Sequence, residues 1–177
     1  MTILTTPRLL LRPLTMADLP DLHRAVWSDP AVTWDGVART PAQSRDALRA
    51  KVEERERCGF GMSAAILRGS GELVGFGGLQ HLEGSEDVEL GYYLSRSSWG
   101  RGFGTEIARE VLRHAFEDLR LDRVVAVVRP ENTGSRRVLA KVGLRFHHEG
   151  DHYGAHVEVW EARNPLPAAA ADGPSRG

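Results

Sequence analysis

The 177-residue chain predicts one α/β domain, a mixed and mostly antiparallel sheet of about seven strands with helices on both faces. Three observations carry that expectation. Residues 60–67, 72–80 and 87–94 are strand-like runs joined by the short polar turns Arg68-Gly69-Ser70-Gly71 and Glu83-Gly84-Ser85-Glu86, the pattern of an antiparallel meander. Ile107, Ala108, Val111, Leu112, Ala115, Phe116 and Leu119 then recur at helical spacing. Val124-Val125-Ala126-Val127-Val128 follows as a continuous apolar run, as in a strand buried on both faces. A strand–helix–strand crossover makes it parallel to the strand that ends at Leu94.

The remaining elements follow in order. Arg8 to Arg12, bounded by Pro7 and Pro13, is a first strand. Asp18 and Asp21 open a helix that runs to Trp27, with Pro20 in the first turn, where a missing N–H is tolerated. Leu19, Leu22 and Val26 form its apolar face. Thr40-Pro41-Ala42-Gln43 is a capping box with proline at the first helical position. The helix it starts carries only Leu48 and Val52 as large apolar residues before Gly59, so a surface helix or a lid is expected. The crossover helix is expected to begin at Thr105. Asn132 caps a short helix closed by Gly143, and 144–148 with 156–160 read as a closing hairpin. The domain is placed at residues 1–163. Residues 164–177 lack apolar periodicity and are expected to be disordered.

Composition narrows the function. With 23 basic and 24 acidic residues the net charge is −1, which argues against a nucleic-acid partner. Cys58 is the only cysteine, so no internal disulfide forms and a reducing, cytoplasmic setting is expected. The first residues lack the charged and apolar regions of a signal peptide, and no apolar run is long enough to span a bilayer.

Trp99-Gly100-Arg101-Gly102-Phe103-Gly104-Thr105-Glu106 joins a strand to a helix. Glycines there let a ligand approach the backbone, and a helix start favours an anion, so a pyrophosphate is the simplest ligand. The loop is neither a Walker sequence nor a dinucleotide fingerprint, because its glycines fall at alternate positions.

In this order the elements resemble the GNAT N-acetyltransferase superfamily over roughly residues 7 to 162. Two motifs carry the resemblance: the glycine loop after Glu89-Leu90-Gly91-Tyr92-Tyr93-Leu94, and Asn132-Thr133-Gly134-Ser135 followed by Leu139-Ala140-Lys141-Val142-Gly143-Leu144. Thr6 to Leu14, with Asp18 and Ser28-Asp29-Pro30, is similar to the branch of ribosomal-protein N-terminal acetyltransferases and their relatives. The resemblance implies acetyl-CoA as cosubstrate. It implies a pyrophosphate on the amides of Arg101, Gly102, Phe103, Gly104 and Thr105, and a pantetheine between two splayed parallel strands that end near Tyr93-Leu94 and Val128. It also implies a bulge in the first of those strands and Asn132 near the pantetheine.

Acetyl transfer to an amine needs a base, a held thioester and a proton for the leaving thiolate. Glu89 shares a strand face with Gly91 and Tyr93 and is the candidate base; a structural carboxylate is the other reading. Many relatives carry a tyrosine where this chain has Leu139, which leaves Ser135 as a candidate proton donor or a serine bonded to local backbone. Arg136 and Arg137 either meet the CoA phosphates or form a solvated basic face. Trp27 and Trp34 are candidates to line the acceptor pocket. His147, His148, His152 and His156 match no zinc spacing, so no metal is expected, and Cys58 has no positioned histidine in sequence.

The function expected is N-acetyl transfer to a primary amine, either a peptide N-terminus or a small molecule. A non-catalytic CoA-binding module is the alternative, and a homodimer is left open. An α-amino group, with a pKa of about 7.7–8.0, supplies far more free base at neutral pH than a lysine near 10.4, which favours acceptors of low pKa.

Overall fold

The computed structural model describes residues 2–165. Its eight strands form one sheet: β1 (Leu4–Thr5), β2 (Leu9–Pro13), β3 (Met62–Leu67), β4 (Leu73–His81), β5 (Val88–Leu94), β6 (Arg123–Val128), β7 (Arg145–His152) and β8 (Ala155–Arg163). The spatial order is β1-β2-β3-β4-β5-β6-β8-β7, and every neighbouring pair is antiparallel except β5–β6. The helices are α1 (Leu19–Leu22), α2 (Pro41–Cys58), α3 (Phe103–Arg113) and α4 (Thr133–Lys141). Single π turns, His23–Trp27 and His114–Asp118, extend α1 and α3.

Strand alternation sends side chains to two cores. On one face Ile107, Ala108, Val111 and Leu139 from α3 and α4 pack on Val74, Leu90, Leu94, Val124 and Ala126. On the other, Leu22, Val26, Trp27 and Leu48 pack on Met62, Ala64 and Phe76. Helix α2 buries only Ser44 and Leu48, which matches its narrow apolar stripe, and Arg55 fixes it to β3 through Gly61 O at 2.7 Å and Ser63 Oγ at 2.9 Å. It is a covering layer held on the sheet. Thr40 accepts from Gln43 N at 3.2 Å, as the capping box predicts.

Four expectations are revised. Strand β1 is an addition that two residues could not signal. Helix α3 starts at Phe103, two residues before Thr105, because Gly102 at φ 83° serves as its cap. The closing hairpin is longer than 144–160, since β7 is an edge strand with mostly exposed side chains and so shows no apolar alternation. Strand β5 pairs with β4 without a break from Val88 to Leu94, so the implied bulge is absent from that ladder, and the register shift lies at Ala65/Ile66 in the neighbouring pair. Residues 166–177 of the expected tail lie outside the described residues.

The feature that positions the site is the parallel pair. Strands β5 and β6 share a single register pair, Glu89 with Val125, and diverge beyond it. The Gly102 cap of α3 stands at the wide end of that gap.

Candidate functional site

A cleft of about 1040 Å³ runs along the gap between β5 and β6. Its floor is residues 89–94 and 126–129; the glycine loop closes one end, and α4 and the loop at 31–35 form walls.

At the loop end Gly100 and Gly102 adopt φ of 70° and 83°, and the first intrahelical bond of α3 is Glu106 N to Gly102 O. The amides of Phe103, Gly104 and Thr105 are therefore the unpaired donors of a helix start, an anion site. A Cβ on Gly104 would sit 3.0 Å from the Tyr92 ring, so this glycine also permits close contact between α3 and β5. Phe103 serves the loop through its main chain, because its ring is buried between Arg8 at 4.5 Å and Arg101 at 4.8 Å. The exposed Arg101 lies outside the cleft lining, as does Arg137, while Arg136 is bound to Glu158 at 3.0 Å.

Along the middle, Tyr93, Leu94, Asn132, Ser135 and Leu139 all line the cleft. Asn132 caps α4, with Oδ1 accepting from Ser135 N at 3.0 Å. The Ser135 hydroxyl bonds to the Tyr92 hydroxyl at 3.0 Å, so it is tied across the cleft to β5. Burial pushes the Tyr92 phenol above its ordinary pKa, which keeps it protonated.

At the other end Glu89 is 4% exposed. Its Oε2 accepts from Gln80 Nε2 at 2.9 Å and from the Tyr153 hydroxyl at 2.5 Å. Burial raises its pKa, and the two hydrogen bonds together with the charges of Lys51 and His152 pull part of that rise back. A buried carboxylate of raised pKa in a cleft is poised to take up a proton. Lys51 reaches in from α2 and bonds Gln80 Oε1 at 3.3 Å, and loss of water lowers its proton affinity. Tyr153 stands at the tip of the β7–β8 hairpin with φ 52°, a strained value for a side chain of this size. Its amide donates to Glu83 at 2.7 Å and its carbonyl accepts from Trp34 Nε1 at 3.2 Å, so backbone and phenol are fixed together.

Of the two tryptophans, Trp34 lines the cleft and packs edge-on against Tyr153 at 5.8 Å. Trp27 does not: it is 6% exposed and packs on Phe76 at 5.7 Å in the core beneath α1 and α2. The apolar face of its helix, rather than its place beside the Ser28-Asp29-Pro30 turn, decides its position. Cys58 differs from expectation too, since His81 Nδ1 lies 3.7 Å from its sulfur, brought there by the end of β4. His156 pairs with Asp151 at 3.0 Å and Glu149 at 3.4 Å on the exposed hairpin. Among the described residues no group of three or more His, Cys, Asp or Glu could hold a metal ion.

Lys51, Gln80, Tyr92, Arg129 and Tyr153 are site residues that the sequence reading missed. Two had a signal. Lys51 stands three residues after Leu48, on the buried side of α2, and Tyr153-Gly154 has the form of a two-residue hairpin turn. Tyr153→Phe removes one of the two donors that stabilise the Glu89 carboxylate and keeps the backbone bonds. The acid limb of the pH–kcat/KM profile is expected to move to higher pH; a superimposable profile would show that the phenol does not tune Glu89.

A family model described as an acetyltransferase (GNAT) domain matches residues 8–145. The protein described as uncharacterized N-acetyltransferase p20, from Bacillus licheniformis, is 32% identical over 155 residues, 85% of either chain. An acetyltransferase structure from Agrobacterium tumefaciens str. C58 superposes with a TM-score of 0.80 at 27% identity, covering 92% of this chain and 95% of that one. RimJ of Mycobacterium smegmatis, solved in complex with CoA-disulfide, gives a TM-score of 0.74 at 25% identity, covering 94% and 88%.

Proposed function

This chain belongs to the GNAT acetyltransferase family, and from that premise we propose that it is an acetyl-CoA-dependent enzyme that acetylates the nitrogen of a primary amine. Its single cysteine suits the reducing cytoplasm. The observation that carries the reading is the placement of a buried, hydrogen-bonded carboxylate, Glu89, in the same cleft as the open amides of the glycine loop.

The residues present fit the cosubstrate. The amides of 103–105 suit a pyrophosphate, and the gap between β5 and β6 leaves strand edges free for an extended amide-bearing arm. Acetyl-CoA, when bound, supplies the activated acetyl group. Glu89 takes the proton of the incoming ammonium or amine, and Gln80 and Tyr153 hold the carboxylate in place for it. Ser135, hydrogen-bonded to Tyr92, donates a hydrogen bond to the departing sulfur in the place of the tyrosine replaced here by the buried Leu139, and the proton that the amine gave to Glu89 balances the one that the thiolate takes up. No metal takes part in this scheme.

Thiol release from acetyl-CoA is the test, measured with and without peptides, polyamines and amino sugars. Amine-dependent release with an acetylated product is expected. Tight acetyl-CoA binding with no release for any amine would make the protein a CoA-binding module without turnover.

A further inference from the structure

We infer that the amine acceptor carries a carboxylate, and that Arg129, laid across Trp34 in the wall of the cleft, is the group that binds it. The inference rests on the acetyl-transfer reading and concerns the far side of the same cleft.

Arg129 follows β6 directly and lines the cleft. Its guanidinium carbon stands 5.1 Å from the centre of the Trp34 ring. Trp34 is itself held by its ring nitrogen on the Tyr153 carbonyl and by edge contact with the Tyr153 ring, and Tyr153 binds Glu89. The guanidinium is thereby linked, through two fixed aromatic rings, to the proposed base. Stacking uses the face of a guanidinium and leaves its in-plane N–H donors free. Among the described residues the Arg129 side chain donates no hydrogen bond, while its carbonyl accepts from Asn132 N at 2.9 Å. Its nearest carboxylate, Glu131, is 3.8 Å away and 71% exposed, and Nε is buried without a partner.

The other charges at this end are already used. Arg39 pairs with Asp35 at 2.9 Å, Glu83 accepts from Tyr153 N, and Glu89 accepts two hydrogen bonds. Lys51 adds a second basic side chain that, among the described residues, bonds to Gln80 and has no carboxylate within 4 Å. A half-buried arginine with free in-plane donors matches a carboxylate bidentately. The same arginine and lysine disfavour a polycationic acceptor such as a polyamine or amino sugar. The anionic groups of CoA have another place to go, the open amides of 103–105 at the start of α3.

The experiment compares wild type with Arg129→Gln on free amino acids, including aspartate and glutamate, and on the primary amide of each. The measured quantity is the ratio of kcat/KM for acid over amide, and dividing the wild-type ratio by the variant ratio cancels the difference in amine basicity. At least a tenfold fall in that ratio is expected in the variant. An unchanged ratio overturns the proposal, as does a wild type that acetylates polyamines or amino sugars and none of the acids. Acetyl-CoA affinity is measured on both proteins by calorimetry. A tenfold loss there in the variant would assign Arg129 to the cosubstrate's phosphates and overturn the proposal.

Titration of the same acids and amides into CoA-saturated protein reads acceptor binding without turnover. Carboxylate-dependent binding lost in Arg129→Gln, together with no thiol release for any amine, would sink the transfer reading and leave the carboxylate site standing. No carboxylate-dependent binding overturns the site.

Discussion

Glu89→Gln is expected to lower kcat/KM at neutral pH by about 10²- to 10⁴-fold, the range that a positioned general base contributes. The substitution is nearly isosteric. Both existing hydrogen bonds, from Gln80 and Tyr153, fall on one carboxylate oxygen, and a glutamine carbonyl can accept both. The loss therefore reports proton transfer, not collapse of the site. It should shrink as pH rises, because an amine that arrives as free base needs no acceptor for its proton. A pH–rate profile parallel to wild type would return Glu89 to a structural role.

Stability should move the other way. Burial raises the Glu89 pKa above its unfolded value. A group of this kind contributes stability that is fully present below the unfolded pKa and is lost as pH rises through the folded one. Above that window the ionised carboxylate weighs against the fold, and glutamine relieves it. The variant should melt higher than wild type at neutral pH, with the two converging in acid. Equal melting temperatures throughout would mean that Glu89 is not strained by burial.

The largest stability effect is expected at Gly75→Ala. Gly75 lies in β4 opposite Leu94 at φ 154°, and a Cβ built there would stand 2.0 Å from the Tyr93 carbonyl oxygen and 2.9 Å from Leu94 Cα. Both are main-chain atoms of β5, the strand that carries the site, so no side chain can swing aside. A loss on the order of 3 kcal/mol or more is expected, a large share of a typical domain's stability. That corresponds to a fall in melting temperature of roughly 6–12 °C for a chain of this size. Gly69→Ala is the control, since a Cβ there meets nothing within 4 Å, and it should melt within a degree or two of wild type. Equal melting of the two variants would mean that β4 and β5 can separate at this point without loss.

The parts of the fold that were legible in the sequence are those whose signal is local. Two short turns marked the meander, the Ile107–Phe116 stripe marked the crossover helix, and the glycine loop marked the end of the cleft where α3 begins. Glu89 was legible because strand alternation places it with Gly91 and Tyr93. Its partners were not, because each comes from a different element: Gln80 from β4 through register, Lys51 from the inner side of α2, Tyr153 from the far hairpin. Arg129 was hidden for a related reason, since an arginine after a strand is common and only the placement of Trp34 gives it meaning. Trp27 shows the opposite failure, where nearness in sequence to a plausible pocket residue outweighed the helix face it belongs to.

The single bridge between β5 and β6 divides the hydrogen-bonded network into two blocks, β1–β5 and β6–β8–β7. Proteins ordinarily shield the outermost strands of a sheet, because unpaired main-chain groups recruit foreign strands and seed aggregation. Here two such edges face each other inside the molecule, roofed by α3 and α4 on one side and by the 31–35 loop on the other. The sheet thus keeps two facing rows of main-chain donors and acceptors that a slender, extended ligand could bridge. Selectivity for a slender ligand is in this sense a property of the backbone, set before any side chain in the cleft is chosen.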